Sequence, residues 1–150
     1  MPMLQLPYVP SHYAGHQTAY LLHNSEHFFP PLNALCTLGN LVMTGLSYYY
    51  SGDSITAAAK FPRLAAATGF SLATTAYAIG IMVPLNRKQA ALAGELEKAE
   101  SAGEVKSESY KRNEAELRRL QTRWTKLNLG RACLMVGAAL SGMSALLIRP

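Results

Sequence analysis

Trp124, Asn128 and Arg131 stand at i, i+4 and i+7, so a helix would put an indole, an amide and a guanidinium on one face. Such a face can stack on a flat ring and donate hydrogen bonds to an anion. The stretch that follows, Ala132 to Ile148, carries no charge. The stripe therefore lies where a charged segment enters an apolar one, and interfacial anchoring by Trp and a snorkelling Arg is the competing reading. His23 and His27 form a second pair at i, i+4, with Glu26 between them. Two metal ligands can share that spacing, but the pattern is not HExxH and no third ligand accompanies it, so no metal site is assigned. A histidine, with an unperturbed pKa of about 6.5, suits the role of general base better. His12 and His16 repeat the spacing in a proline-rich tail. Asn33 and Asn86 add two amides at the edges of other apolar runs, where Asn86 could equally cap a helix.

The elements that must position these residues follow from where the charges are. Residues 27–52, 64–86 and 132–148 contain no Asp, Glu, Lys or Arg, whereas 87–131 holds eleven Lys/Arg and seven Glu. A soluble helical bundle would spread charge along every helix as a solvent face. Whole segments here lack one. The expected architecture is an all-α membrane helical bundle of one domain, residues 1–150. It has three spans, at about 31–51, 63–84 and 127–148, and a charged helical hairpin section, 87–126. Pro2, Pro7 and Pro10 predict an irregular tail over 1–16, a short helix follows over about 17–27, and Pro30-Pro31 opens the first span. Ser51-Gly52-Asp53 reads as a stop, Pro84 as the limit of the second span, and Ser101-Ala102-Gly103 as a turn inside the charged section. Gly137 and Ser141 make a small-xxx-small pair suited to close helix packing.

Basic residues orient the bundle. Arg87, Lys88, Arg118, Arg119, Arg123 and Lys126 flank the loop between spans two and three, against Lys60 and Arg63 between spans one and two. The positive-inside rule makes this a multi-pass protein with the long loop, 85–126, in the cytoplasm, and the N-terminal segment faces the same side. The start of span one (His23, His27, Asn33), the end of span two (Asn86) and the start of span three then meet at one membrane face. A ligand pocket between helices would open there.

Other classes find little support. The net charge of +5 is interleaved with glutamates, which describes a solvated helix rather than a phosphate-binding stripe, so no nucleic acid is expected. Cys36 and Cys133 lie inside apolar runs and read as packing residues rather than a disulfide. Ser-His-Asp order, a glycine-rich phosphate loop and CxxC are all missing from the sequence.

Three segments, GHQ…EHFFPPLNAL (15–35), VPLNRK (83–88) and WTKLNLGRACL (124–134), resemble the small multi-span membrane family that includes fungal anthrone oxygenases. In that family a P-x-N motif ends one span and W-x3-N-x2-R opens the last, which correspond here to Pro84, Asn86, Trp124, Asn128 and Arg131. The likeness covers about residues 12–148. Family members generally have four spans, and residues 1–22 here are too rich in proline and polar residues to supply the usual first one. The resemblance implies a membrane-embedded oxygenase that converts a polyketide anthrone to an anthraquinone with O₂, without flavin or metal. For that chemistry the residues at the shared membrane face suggest His27, or else His23, as base, Asn128 and Arg131 as oxyanion donors, and Trp124, Asn86 and Asn33 as contacts to the substrate. The expected partners are a hydrophobic aromatic polyketide and membrane lipids, with homo-oligomerisation left open. The alternative is a non-catalytic small integral membrane protein that packs helices or binds lipid-like molecules.

Overall fold

The computed structural model describes residues 11–148; of the side chains before residue 30, it describes those of Tyr13, Gln17, Tyr20 and Phe28. Every regular element among the described residues is helical: α1 (Ser11–Tyr49), α2 (Ile55–Tyr77), a π-helical turn (Ala78–Met82), α3 (Val83–Ser101) and α4 (Glu108–Leu146). The chain divides into two compact units. One comprises residues 1–27 and 79–129, the other 28–78 and 130–150.

Three boundaries differ from those that proline placement predicts. Residues 11–16 are helical rather than irregular, and the short helix over 17–27 and span one are a single helix, α1, with Pro30 and Pro31 inside it. The rest of the expected tail, 1–10, lies outside the described residues. A proline removes one N–H and crowds the carbonyl four residues earlier, but a long helix can lose these bonds when the turns on either side remain intact. Pro84 likewise does not end the helix that carries the second span. The helix widens through the π-turn at 78–82 and resumes as α3, with Pro84 in its first turn. A π-turn shifts the carbonyls away from the oncoming pyrrolidine ring, and proline's fixed φ suits a helical opening. Helix α2 also begins earlier than expected, at Ile55. Ser54, in extended conformation, caps it by accepting a hydrogen bond on Oγ from the Ala57 N–H at 3.3 Å.

In the unit built on 79–129, α3 and α4 form an antiparallel hairpin. Leu85, Gln89, Leu92, Leu96 and Ala99 alternate steps of four and three along α3, and Leu117, Leu120, Trp124 and Leu127 do the same along α4. That alternation is the spacing of a coiled-coil seam. Leu85, Leu92, Leu96, Tyr110, Leu117 and Leu120 are its buried cluster, with Ala99, Trp124 and Leu127 packed against it. Burying each leucine contributes roughly 1.5–3 kcal/mol. The hairpin turns where expected: Gly103 takes φ +74°, a left-handed conformation that L side chains adopt rarely. Ser107 then caps α4, accepting from the Tyr110 N–H at 3.1 Å.

In the unit built on 28–78, α1 and α2 are also antiparallel, but their contact is polar. Asn33 donates to Thr75 Oγ1 at 2.8 Å, Asn40 to Ser71 Oγ at 3.1 Å, and Thr44 pairs with Thr68 at 2.8 Å. Ser47 closes the row on the Ala57 carbonyl at 2.7 Å. The opposite face of α1 shows Leu35, Leu38, Val42 and Leu46 to the surroundings. In the same unit the Phe70 ring lies over Gly137. The expected small-residue packing is thus an aromatic side chain seated on a glycine. Cys36 and Cys133 are free thiols, exposed rather than packed.

Among the described residues, two helices are long and apolar enough to cross a membrane: the continuous helix Ile55–Ser101 and Glu108–Leu146. Only 28% and 6% of their most apolar windows are buried, so neither is the core helix of a soluble protein. Of the expected first span, about 31–51, residues 31–49 are helical, but Asn33, Asn40, Thr44 and Ser47 interrupt the apolar run.

Candidate functional site

Asn86 sits in the first turn of α3, two residues after Pro84, and is inside the helix rather than capping its end. The antiparallel register of the hairpin brings it opposite Trp124. The indole Nε1–H donates to Asn86 Oδ1 at 3.1 Å. Asn86 is 9% exposed, and Trp124 is half-buried against the leucine cluster. Indole is a donor only, so it dictates which end of the amide faces it. The Asn86 amide nitrogen is therefore turned away from Trp124, and it has no hydrogen-bond partner among the described residues.

One turn further along α3, Gln89 is buried in the seam, and its Nε2 donates to the Leu120 carbonyl at 3.0 Å. Sequence reasoning missed this residue. The signal was available, because Gln89 is the one strongly polar side chain in the four-three spacing of Leu85, Leu92 and Leu96. The row of Asn40, Thr44 and Ser47 was also missed. Their positions broke an apolar run without indicating which helix they would meet.

The remaining candidates are distributed as follows. Helix α4 is uninterrupted through Trp124, Asn128 and Arg131, so the three share one face as their spacing requires. Asn128 is half-buried, one turn beyond Trp124, with no hydrogen-bond partner among the described residues. Arg131 is half-buried, is already engaged in an interaction, and belongs to the other unit. Asn33 also belongs to that unit, where its amide N–H is committed to Thr75. His23 and His27 lie on α1, four residues apart, with side chains outside the described residues.

Charge near the hairpin is organised at its surface. Lys88 on α3 pairs with Glu116 on α4, and Arg118 bonds Glu114 one turn away at 3.1 Å. The hydrogen bond and charge of Lys88 hold the Glu116 carboxyl below its ordinary value of 4.5. The first pair is exposed to solvent and the second half-buried within one helix, so they trim the surface of the hairpin and contribute little to holding it together.

Compared with known protein families, residues 19–141 match the family model of anthrone oxygenase. The chain belongs to the anthrone oxygenase family. No curated protein and no solved structure matches it. The matched region holds His23, His27, Asn33, Asn86, Trp124, Asn128 and Arg131, and excludes His12 and His16. Family membership and the two exposed apolar helices together make this a membrane-associated chain.

Proposed function

We propose that this protein is a multi-pass membrane oxygenase that converts a polyketide anthrone to an anthraquinone with O₂. Family membership over residues 19–141 carries this reading. The Trp124–Asn86 bond supports it locally, because it brings together two residues of the family's short motifs and leaves the Asn86 amide N–H uncommitted to the indole. The long loop, 85–126, faces the cytoplasm under the positive-inside rule.

The chemistry starts from the substrate. An anthrone methylene lies between two aryl rings and is conjugated to a carbonyl, so losing a proton gives a delocalised, phenolate-like anion. That anion is electron-rich enough to pass one electron to O₂. Recombination forms a carbon–oxygen bond to a peroxide, and the peroxide expels water as the second C–H bond breaks. One CH₂ and one O₂ become one C=O and one H₂O. The protein must supply a base, donors for the anion's oxygen and a dry apolar slot. His27 is the base, with His23 as second choice. Asn128 and Arg131 donate to the oxyanion, Asn86 and Asn33 orient the substrate, and Trp124 offers its ring face for stacking. No cofactor enters these steps. A membrane location suits a flat, poorly soluble substrate that partitions into lipid.

The test is anthrone turnover by detergent-purified protein and its variants. Losing a general base should slow the reaction about 10²- to 10⁴-fold. Normal rates in both His27→Ala and Arg131→Ala would rule out the assignment, and stoichiometric iron or copper in the sample would overturn the cofactor-free chemistry. A non-catalytic membrane protein is the second reading. What favours it is that the Trp124 and Asn33 donors are satisfied within the protein, as packing residues would be.

A further inference from the structure

Gln89 is 1% exposed and stands between Leu85 and Leu92 on the buried face of α3. A polar side chain there weakens an apolar seam unless it is bonded, and a leucine would fill the position without that requirement. What Gln89 bonds is informative. Its Nε2 donates to the Leu120 carbonyl, a backbone acceptor on α4. In an α-helix that carbonyl also accepts the N–H of the residue four positions on, which is Trp124. A carbonyl oxygen has two lone pairs, so both bonds can form together. Gln89 thus holds the carbonyl to which the Trp124 backbone N–H is bonded. One turn back on α3, Asn86 grips the indole of the same residue.

We infer that Gln89 is a positioning residue for the Trp124–Asn86 pair, fixing the register of α3 against α4 so that the indole N–H meets the amide oxygen. The leucines cannot fix it alone. Side chains repeating at heptad spacing pack comparably after a slip along the seam, and one helical turn is about 5.4 Å, which would break a 3.1 Å bond outright. A single polar group at a seam position selects one register, at some cost in stability. The flanking pairs, Lys88–Glu116 and Asn113–Glu95, are exposed and hold the register weakly. The catalytic consequence of this inference rests on the proposed oxygenase function; the positional claim rests on the hairpin alone.

Trp124 is the only tryptophan, so ¹⁵N-labelled protein in detergent gives one indole N–H cross-peak that reports its hydrogen bond. Asn86→Ala sets the position of the unbonded indole. Gln89→Met keeps the side-chain length and removes the donor. The expected result is a Gln89→Met peak moved toward that of Asn86→Ala, with helical content by circular dichroism unchanged. The anthrone kcat/KM should fall on the order of tenfold to a hundredfold, as expected when a binding group is misplaced by about an ångström. Gln89→Leu serves as the second variant if Gln89→Met does not fold. A peak within a linewidth of wild type in the folded variant would overturn the inference. If the wild type turns over no anthrone while the peak still moves, the oxygenase reading fails and the positioning role stands.

Discussion

Replacing Asn86 with leucine removes the acceptor of the Trp124 indole N–H. The shapes are similar, so the main loss is the acceptor. Leaving a buried donor unpaired costs about 1–3 kcal/mol. Trp124 is only half-buried, which puts the expected cost near the lower end of that range, about 1–1.5 kcal/mol. Trp124→Phe removes the donor and part of the ring that packs on the leucine cluster, and is destabilising by itself. In the double variant neither partner is left with an unmet polar group, so its loss should be smaller than the sum of the single losses. A coupling of about 1 kcal/mol lies within the range for residues in direct contact. At roughly 2–4 °C per kcal/mol for a chain of this size, it amounts to a few degrees in Tm. Melting in detergent, followed by circular dichroism at one scan rate, measures it. Additive shifts, with coupling below about 0.5 kcal/mol, would refute the bond as a stabilising contact.

A Cβ on Gly137 would lie 3.2 Å from two carbons of the Phe70 ring, an overpacking offset by the roughly 0.8–1 kcal/mol that alanine gains over glycine in a helix, so Gly137→Ala should stabilise less than that in the wild type and by the full amount once Phe70→Leu opens the contact. Gly94→Ala meets nothing within 4 Å in α3 and should stabilise by about 0.8–1 kcal/mol; both are read as shifts in Tm. Lys88 holds the Glu116 pKa below 4.5, so the stability this pair contributes is present above that value and lost as pH falls through the depressed folded pKa. Lys88→Ala should return the Glu116 carboxyl toward 4.5 in an NMR titration, and an unmoved midpoint would remove Lys88 as the cause.

The sequence revealed the parts of the fold that depend on local chemistry. Uncharged stretches marked the apolar helices, Gly103 marked the hairpin turn, and the spacing of Trp124, Asn128 and Arg131 held because α4 runs through them unbroken. Proline misled. Pro30, Pro31 and Pro84 read as boundaries from local rules, yet the helices continue through them, in one case by widening into a π-turn. Of the candidate site, the expected topology put Asn86 and Trp124 at the same end of their helices, but it did not indicate that they pair. Sequence reasoning supplied a stacking ring and an orienting amide, and the two proved to be bonded to each other. The partner of Gln89 and the Asn40–Ser71 and Thr44–Thr68 pairs were illegible for a different reason. Each depends on which helix lies opposite, a fact of tertiary packing that no local pattern encodes.

Oxidation of an anthrone under ¹⁸O₂ by the detergent-purified protein tests the central claim most directly. The account predicts protein-dependent turnover well above the spontaneous rate, with one labelled oxygen in the new quinone carbonyl and the other in water. Quinone formed no faster with the protein than without it, or a new carbonyl carrying unlabelled oxygen from solvent, would contradict the account.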